Sequence, residues 1–159
     1  MLLSEDREQE MGTLILGIGN PILTDDGVGI EIAHRLKEAR PGLNIEETNE
    51  AAIILLDYVV GYNKLIIIDS IKTGQGQPGE LYKLRLDDFK KATDSPSSHG
   101  IDIATAFEVG RSLGCKMPES VSIYAVEVRD NSNFSERCTE EVEVKIPSIV
   151  KRIIGEENL

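Results

Sequence analysis

Apolar runs alternate with amphipathic stretches along the chain, and the alternation predicts its elements. Residues 13–17 (TLILG) form a short apolar run closed by glycine, the pattern of a buried strand entering a turn. Beyond the turn GIGNP, Val28, Ile32, Ala33 and Leu36 recur at helical spacing with charged residues between them. A helix is therefore expected from Asp26 or Gly27 to the Arg40-Pro41-Gly42 stop. Residues 43–48 read as a second strand, 51–60 as a second helix closed by Gly61, and 64–69 (KLIIID) as a third strand. After the glycine-rich turn 73–79, residues 80–86 alternate as a half-buried strand does, which fits an antiparallel edge. Residues 87–91 read as a helical turn and 93–98 as a loop leading into His99-Gly100. Ile103, Ala106, Phe107 and Gly110 then share a helix face. Residues 121–128 predict a central strand, and 139–154 a closing helix kinked at Pro147. Strands and helices in this rhythm imply right-handed crossovers. The expected fold class is α/β: a doubly wound, mostly parallel sheet with helices on both faces.

The chain of 159 residues fits one domain over 12–159, behind a charged tail at 1–11 expected to lack order. A domain of this size holds a core without disulfides or structural metal. Cys115 and Cys138 lie far apart without CxxC spacing, and the expectation is two reduced, buried thiols. The tail carries Glu5, Asp6, Arg7, Glu8 and Glu10 where a secretory signal needs an apolar run, and no uncharged stretch approaches the ~20 residues of a membrane span. A cytosolic protein with no membrane insertion is expected. With 17 basic and 28 acidic residues the net charge is −11, which argues against a nucleic-acid partner.

In an open parallel sheet, ligands gather beyond the carboxyl ends of the strands. Asp26 follows the first strand and its turn, Asp69 ends the third strand, and His99 precedes a later helix. Two carboxylates and an imidazole would make an open site for a borderline divalent metal such as nickel or zinc. A cation would also relieve the repulsion between the two acids. Each residue also has a structural reading. Asp26, or its neighbour Asp25, could cap a helix, Asp69 could bond a turn amide, and His99 could sit on a surface loop. His34, in a helix without polar companions, is expected to be structural. No HExxH, GxSxG or P-loop pattern occurs, and the dinucleotide fingerprint that begins at Gly17 has Ile22 at its third glycine position. A nucleotide cofactor therefore has weak support.

LGIGNPILTDDGVG (16–29), followed in order by LIIIDSI (65–71) and SSHGIDI (97–103), resembles the [NiFe]-hydrogenase maturation endopeptidases over nearly the whole chain. The resemblance implies that Asp26, Asp69 and His99 bind nickel and serve the reaction. Some members of that family carry glutamate at the first position, and Asp25 is the understudy here. The implied reaction removes a C-terminal extension from the hydrogenase large-subunit precursor after nickel insertion, so the substrate brings the metal. Gly17, Gly19, Gly27 and Gly29 would either let backbone approach the substrate tail or simply make turns. Two other readings stay open: a nickel-sensing adaptor that docks while another protein cuts, and a peptidyl-tRNA hydrolase, whose opening is similar to LGIGNP. Against the latter, Thr24, Asp25 and Asp26 stand where that family continues to its histidine, and the acidic charge disfavours tRNA.

Overall fold

The computed structural model of the chain describes residues 11–50, 52–92 and 99–159. The expected tail and the 93–98 loop lie outside the described residues, apart from Met11, which already belongs to the first strand. Five strands form one sheet: β1 (Met11–Ile18), β2 (Asn44–Thr48), β3 (Tyr62–Ile71), β4 (Leu81–Leu84) and β5 (Ser120–Glu127), in the order β2-β1-β3-β5-β4. β1 pairs in parallel with β2 and β3, and β3 with β5, while β4 runs antiparallel on the edge beside β5. The predicted fold class and the antiparallel edge are both present.

Side-chain alternation along the central strands divides the core in two. Leu14 and Leu16 of β1 with Leu65 and Ile67 of β3 pack on one face, under α2 (Leu56–Val59), α3 (Leu86–Ala92) and α4 (His99–Ser112). Ile15, Ile66 and Ile68 pack on the other face, against α1 (Val28–Ala39) and α6 (Ile146–Glu157). Each fully buried aliphatic side chain contributes roughly 1.5–3 kcal/mol, and four such residues in a row, Leu65 to Ile68, make β3 the centre of the sandwich.

α1 lies unusually close to the sheet. A Cβ at Gly29 would stand 2.4 Å from the Ile68 carbonyl oxygen and 2.6 Å from that of Ile18, and one at Gly17 would stand 2.6 Å from the Gly29 carbonyl. The space beside these glycines, and beside Gly19 and Gly27, is filled by the chain's own backbone. Their use here is close internal packing and not room for a bound tail.

Two expected helices take different forms. Over 51–60 the chain makes a 3-10 turn, Ala52–Leu55, and only then α2. Successive β-branched isoleucines crowd the preceding turn of an α-helix. The closing helix is not one kinked rod: α5 (Glu140–Glu143) stops, and α6 starts anew with Pro147 in its first turn, where no amide donor is needed. Cys115 and Cys138 are free thiols as expected, but half-buried rather than buried.

α6 ends against the amino-terminal side of the sheet. There the nearly buried Glu157 carboxylate lies 2.5 Å from Lys64 Nζ and 3.5 Å from Lys83 Nζ, and accepts the Tyr124 hydroxyl at 2.7 Å. Burial pushes its pKa up, but the Lys64 and Tyr124 hydrogen bonds and the two lysine charges outweigh burial, and the net shift is down. A carboxylate depressed in the folded state stabilises the fold above its unfolded value, near 4.3, and loses that contribution as pH falls through the folded value. Wild type should therefore lose urea stability more steeply than Glu157→Gln as pH drops below about 4.5, a difference read from urea midpoints. Parallel profiles would remove the ion cluster from the stability argument.

Candidate active site

The order β2-β1-β3 makes the chain leave β1 in one direction and return for β3 on the other side. The connections part between these two strands, and a crevice opens at their carboxyl ends. Two sequence-distant acids arrive there. From β1 the chain turns through Gly19 and Asn20 into a 3-10 turn, Thr24–Gly27, which carries Asp26. Asp26 is half-buried. Its Oδ2 accepts the Asn20 amide hydrogen at 2.9 Å, and its Oδ1 accepts the Ser70 hydroxyl at 3.2 Å. Asp69 is wholly buried near the end of β3, and its Oδ1 accepts the Ser70 amide hydrogen at 2.7 Å. Ser70 thus touches both acids.

Strand parity sorts the two sides of the crevice. Asp69 shares parity with Leu65, Ile67 and Ile71, which belong to the core under α4. Ser70 shares parity with Ile66 and Ile68, on the α1 side, from which Asp26 enters. His99 opens α4, and its side chain lies outside the described ones. α4 runs back toward the amino ends of the strands, where Gly61 N–H bonds Lys116 O and Glu119 N–H bonds Asn63 O. Its first residue therefore belongs to the carboxyl rim. Among the described side chains no group of three His, Cys, Asp or Glu residues forms a metal cluster.

Asp25 has a different role from its neighbour. Fully buried, its carboxylate accepts the Thr139 amide at 2.7 Å, the Thr139 hydroxyl at 3.0 Å and the Asp130 amide at 3.4 Å. It caps no helix: α1 is preceded by Gly27, with no side-chain cap. Instead it ties the segment after β5 to the turn that carries Asp26. The same segment holds Thr24 at φ 52°, a left-handed conformation rare for a β-branched residue, through Thr24 N–H to Ser135 O at 3.0 Å and Thr24 Oγ1 to Asn133 O. Gly19 completes the arrangement. A Cβ there would lie 2.0 Å from the Asp26 carbonyl oxygen.

Three further features escaped the sequence reading. Ser70, the bridge between the acids, carried only the signal of following Asp69 at a strand end. Glu127, buried at the end of β5, accepts the Thr73 and Gly76 amides at 2.9 and 3.1 Å and the hydroxyls of Thr73 and Tyr82, so it fastens the glycine-rich turn. A groove of about 500 Å³ adjoins the Asp26 turn, lined by Ile22, Ile30, Glu31, His34, Arg137 and Cys138 among others. His34 was expected to lack polar companions. It is instead exposed, and its Nε2 pairs with Glu47 of β2. Burial, followed by the charges of Asp25, Glu31 and Glu143, pushes the Cys138 thiol up to about 12. It stays protonated at neutral pH and is a poor nucleophile.

The fold and crevice define a doubly wound α/β protein with an acid pair at its topological switch point. Comparison with known proteins narrows this class. The family model HycI, hydrogenase maturation protease, matches residues 30–156, and the chain belongs to that family. The match takes in Asp69 and His99 and begins just after Asp26. The chain is 28% identical over 120 residues to the hydrogenase 2 maturation protease of Escherichia coli (strain K12), which covers 73% of each chain. It is 24% identical over 146 residues to the hydrogenase expression/formation protein HupD of Rhizobium leguminosarum bv. viciae, covering 89% of this chain and 71% of that one. The hydrogenase maturating endopeptidase HybD from E. coli superposes with a TM-score of 0.77 at 25% identity, over 92% of this chain and 91% of its own. The fold is also that of a [NiFe] hydrogenase maturation protease HybD from Thermococcus kodakarensis, with a TM-score of 0.72 at 22% identity over 92% and 98% of the two chains. No helix among the described residues is long and apolar enough to cross a membrane.

Proposed function

We propose that this chain is the endopeptidase that removes the C-terminal extension of a [NiFe]-hydrogenase large-subunit precursor after nickel insertion. Asp26, Asp69 and His99 recognise the nickel that the precursor brings. The observation that carries the reading is that Ser70, at the β1/β3 crevice, bonds both Asp26 and Asp69, on the rim where α4 begins at His99. Two carboxylates and one imidazole suit a borderline divalent ion, and the donors this chain supplies leave positions for ligands from the precursor. Such a partial set binds free nickel weakly and a nickel-loaded precursor tightly, which gates proteolysis on metal loading. Held by these residues, the ion would supply Lewis-acid chemistry toward the scissile carbonyl or a water, for a hydrolysis in which water adds across the peptide bond to give a carboxylate and an amine. The protonated Cys138 thiol supports this scheme over thiol attack.

Incubation with nickel-containing and nickel-free precursor, read by mass spectrometry of the released tail, tests the reading. Cleavage of the loaded form alone is expected. Equal cleavage of both would end the gating idea and leave a protease, whereas binding without any cleavage by the purified pair would favour the adaptor.

A further inference from the structure

We propose that two pairs of exposed apolar residues, Ile22 with Phe134 and Ile53 with Ile54, form jaws on either side of the crevice. Between them the jaws grip apolar side chains of the precursor segment being cut. This inference rests on the proposed function and adds a docking surface to it. Six large hydrophobic side chains are exposed among the described residues, and these four lie on segments leaving the carboxyl ends of strands: Phe134 at 84%, Ile53 at 56%, Ile22 at 47% and Ile54 at 44% exposure. Apolar side chains grouped around a cleft mark an interaction surface more strongly than the same residues scattered singly.

The jaws are held in place. A parallel bridge between Leu23 and Ser135 sets Ile22 beside Phe134, with Ser135 N–H donating to Ile22 O at 3.0 Å and Thr24 N–H donating to Ser135 O at 3.0 Å. The Asp25 carboxylate anchors the same strap through Thr139 and Asp130. On the far side, Ile53 and Ile54 ride on the 3-10 turn whose Leu55 is buried in the core with Ile18 and Ile103. An apolar partner would therefore meet prearranged side chains, with little ordering cost on this protein's side. Ile22 also stands on the lip of the 500 Å³ groove, so the surface continues into a depression that can receive a side chain.

The substrate segment fits this surface better than a second copy of the chain. A copy seated across both jaws would cover the crevice between them, and two chains of net charge −11 repel each other.

The test compares Ile22→Ser/Phe134→Ser and Ile53→Ser/Ile54→Ser with Leu113→Ser. Leu113 is also exposed but follows α4 at the opposite end of the sheet. Binding of each protein to immobilised nickel-loaded precursor, and KM and kcat for tail release, are measured after melting curves establish folding. Each jaw variant is expected to bind about tenfold more weakly, with KM raised to match, kcat unchanged and Leu113→Ser like wild type. Jaw variants that bind within twofold of wild type would overturn the proposal, as would wild type that fails to bind the precursor or a wild-type dimer that the jaw substitutions dissolve. If wild type binds without cutting, the proposed reaction fails while the binding comparison still decides the jaws.

Discussion

Asp69→Asn is expected to lower kcat/KM for nickel-loaded precursor by about 10²–10³-fold or more while leaving the fold intact, and His99→Ala is expected to do the same. Asparagine has the shape of aspartate and keeps an acceptor for the Ser70 amide, so the local hydrogen bond survives. What disappears is the negative charge, which coordinates a divalent ion far better than a neutral amide does. Burial sharpens the contrast, because Asp69 is wholly enclosed and water could not readily stand in for the carboxylate oxygen it would offer the ion. Asp25→Asn is the informative neighbour. Its carboxylate is taken up by Thr139 and Asp130, so the substitution should cost about 1–3 kcal/mol of stability and leave nickel-dependent turnover largely in place. Steady-state kinetics beside thermal melts separate the two outcomes. Processing by either variant within threefold of wild type would take the residue substituted in it out of the reaction.

The second large effect falls on stability. Gly29→Ala should destabilise the fold by about 3 kcal/mol or more, a fall in Tm of roughly 6–12 °C for a domain of this size. The added methyl meets two backbone carbonyls at 2.4 and 2.6 Å, one on β3 and one on β1, and neither can swing aside as a side-chain end could. α1 must lift from the sheet, and Val28, Ile32 and Leu36 lose packing with it. Gly42→Ala is the matched control, since a Cβ there meets nothing within 4 Å and should change stability by no more than about 0.5 kcal/mol. Calorimetry of the two variants reads the difference. Equal melting temperatures would mean that α1 has slack the close contacts do not suggest.

The acid pair and the glycines differ in how they could be read from sequence. Asp69 announced itself as a charge at the end of LIIID, where burial without a partner is costly. Asp26 could not be told from Asp25 by local pattern, since both stand in one turn and either suits a helix start. The difference between them comes from residues far along the chain, Thr139 on one side and Ser70 on the other. The glycines raised the idea of a nearby tail. Their neighbours proved to be Ile68, Ile18 and Asp26 backbone, contacts that depend on helix–sheet distance and leave no periodic trace.

The exposed apolar residues follow the same division. Ile53 and Ile54 read as part of a helix because apolar runs of that length suit one, and only the short crossover from β2 to β3 turns them outward on a 3-10 turn. Phe134 sits in a polar stretch without periodicity, and its prominence comes from the strap that joins its segment to Ile22.

By itself the amino-acid sequence determined the layered α/β plan, the parallel strands with an antiparallel edge, and the strand ends at which acids stand. Local patterning sets these, because side-chain periods of 2 and 3.6 residues and glycine turns act over a few residues. Tertiary structure alone decided which aspartate faces the crevice, that Ser70 links the two acids, that burial pushes the Cys138 thiol up, and where apolar side chains remain outside. Each of these depends on groups separated by tens of residues, which only the closed fold brings together.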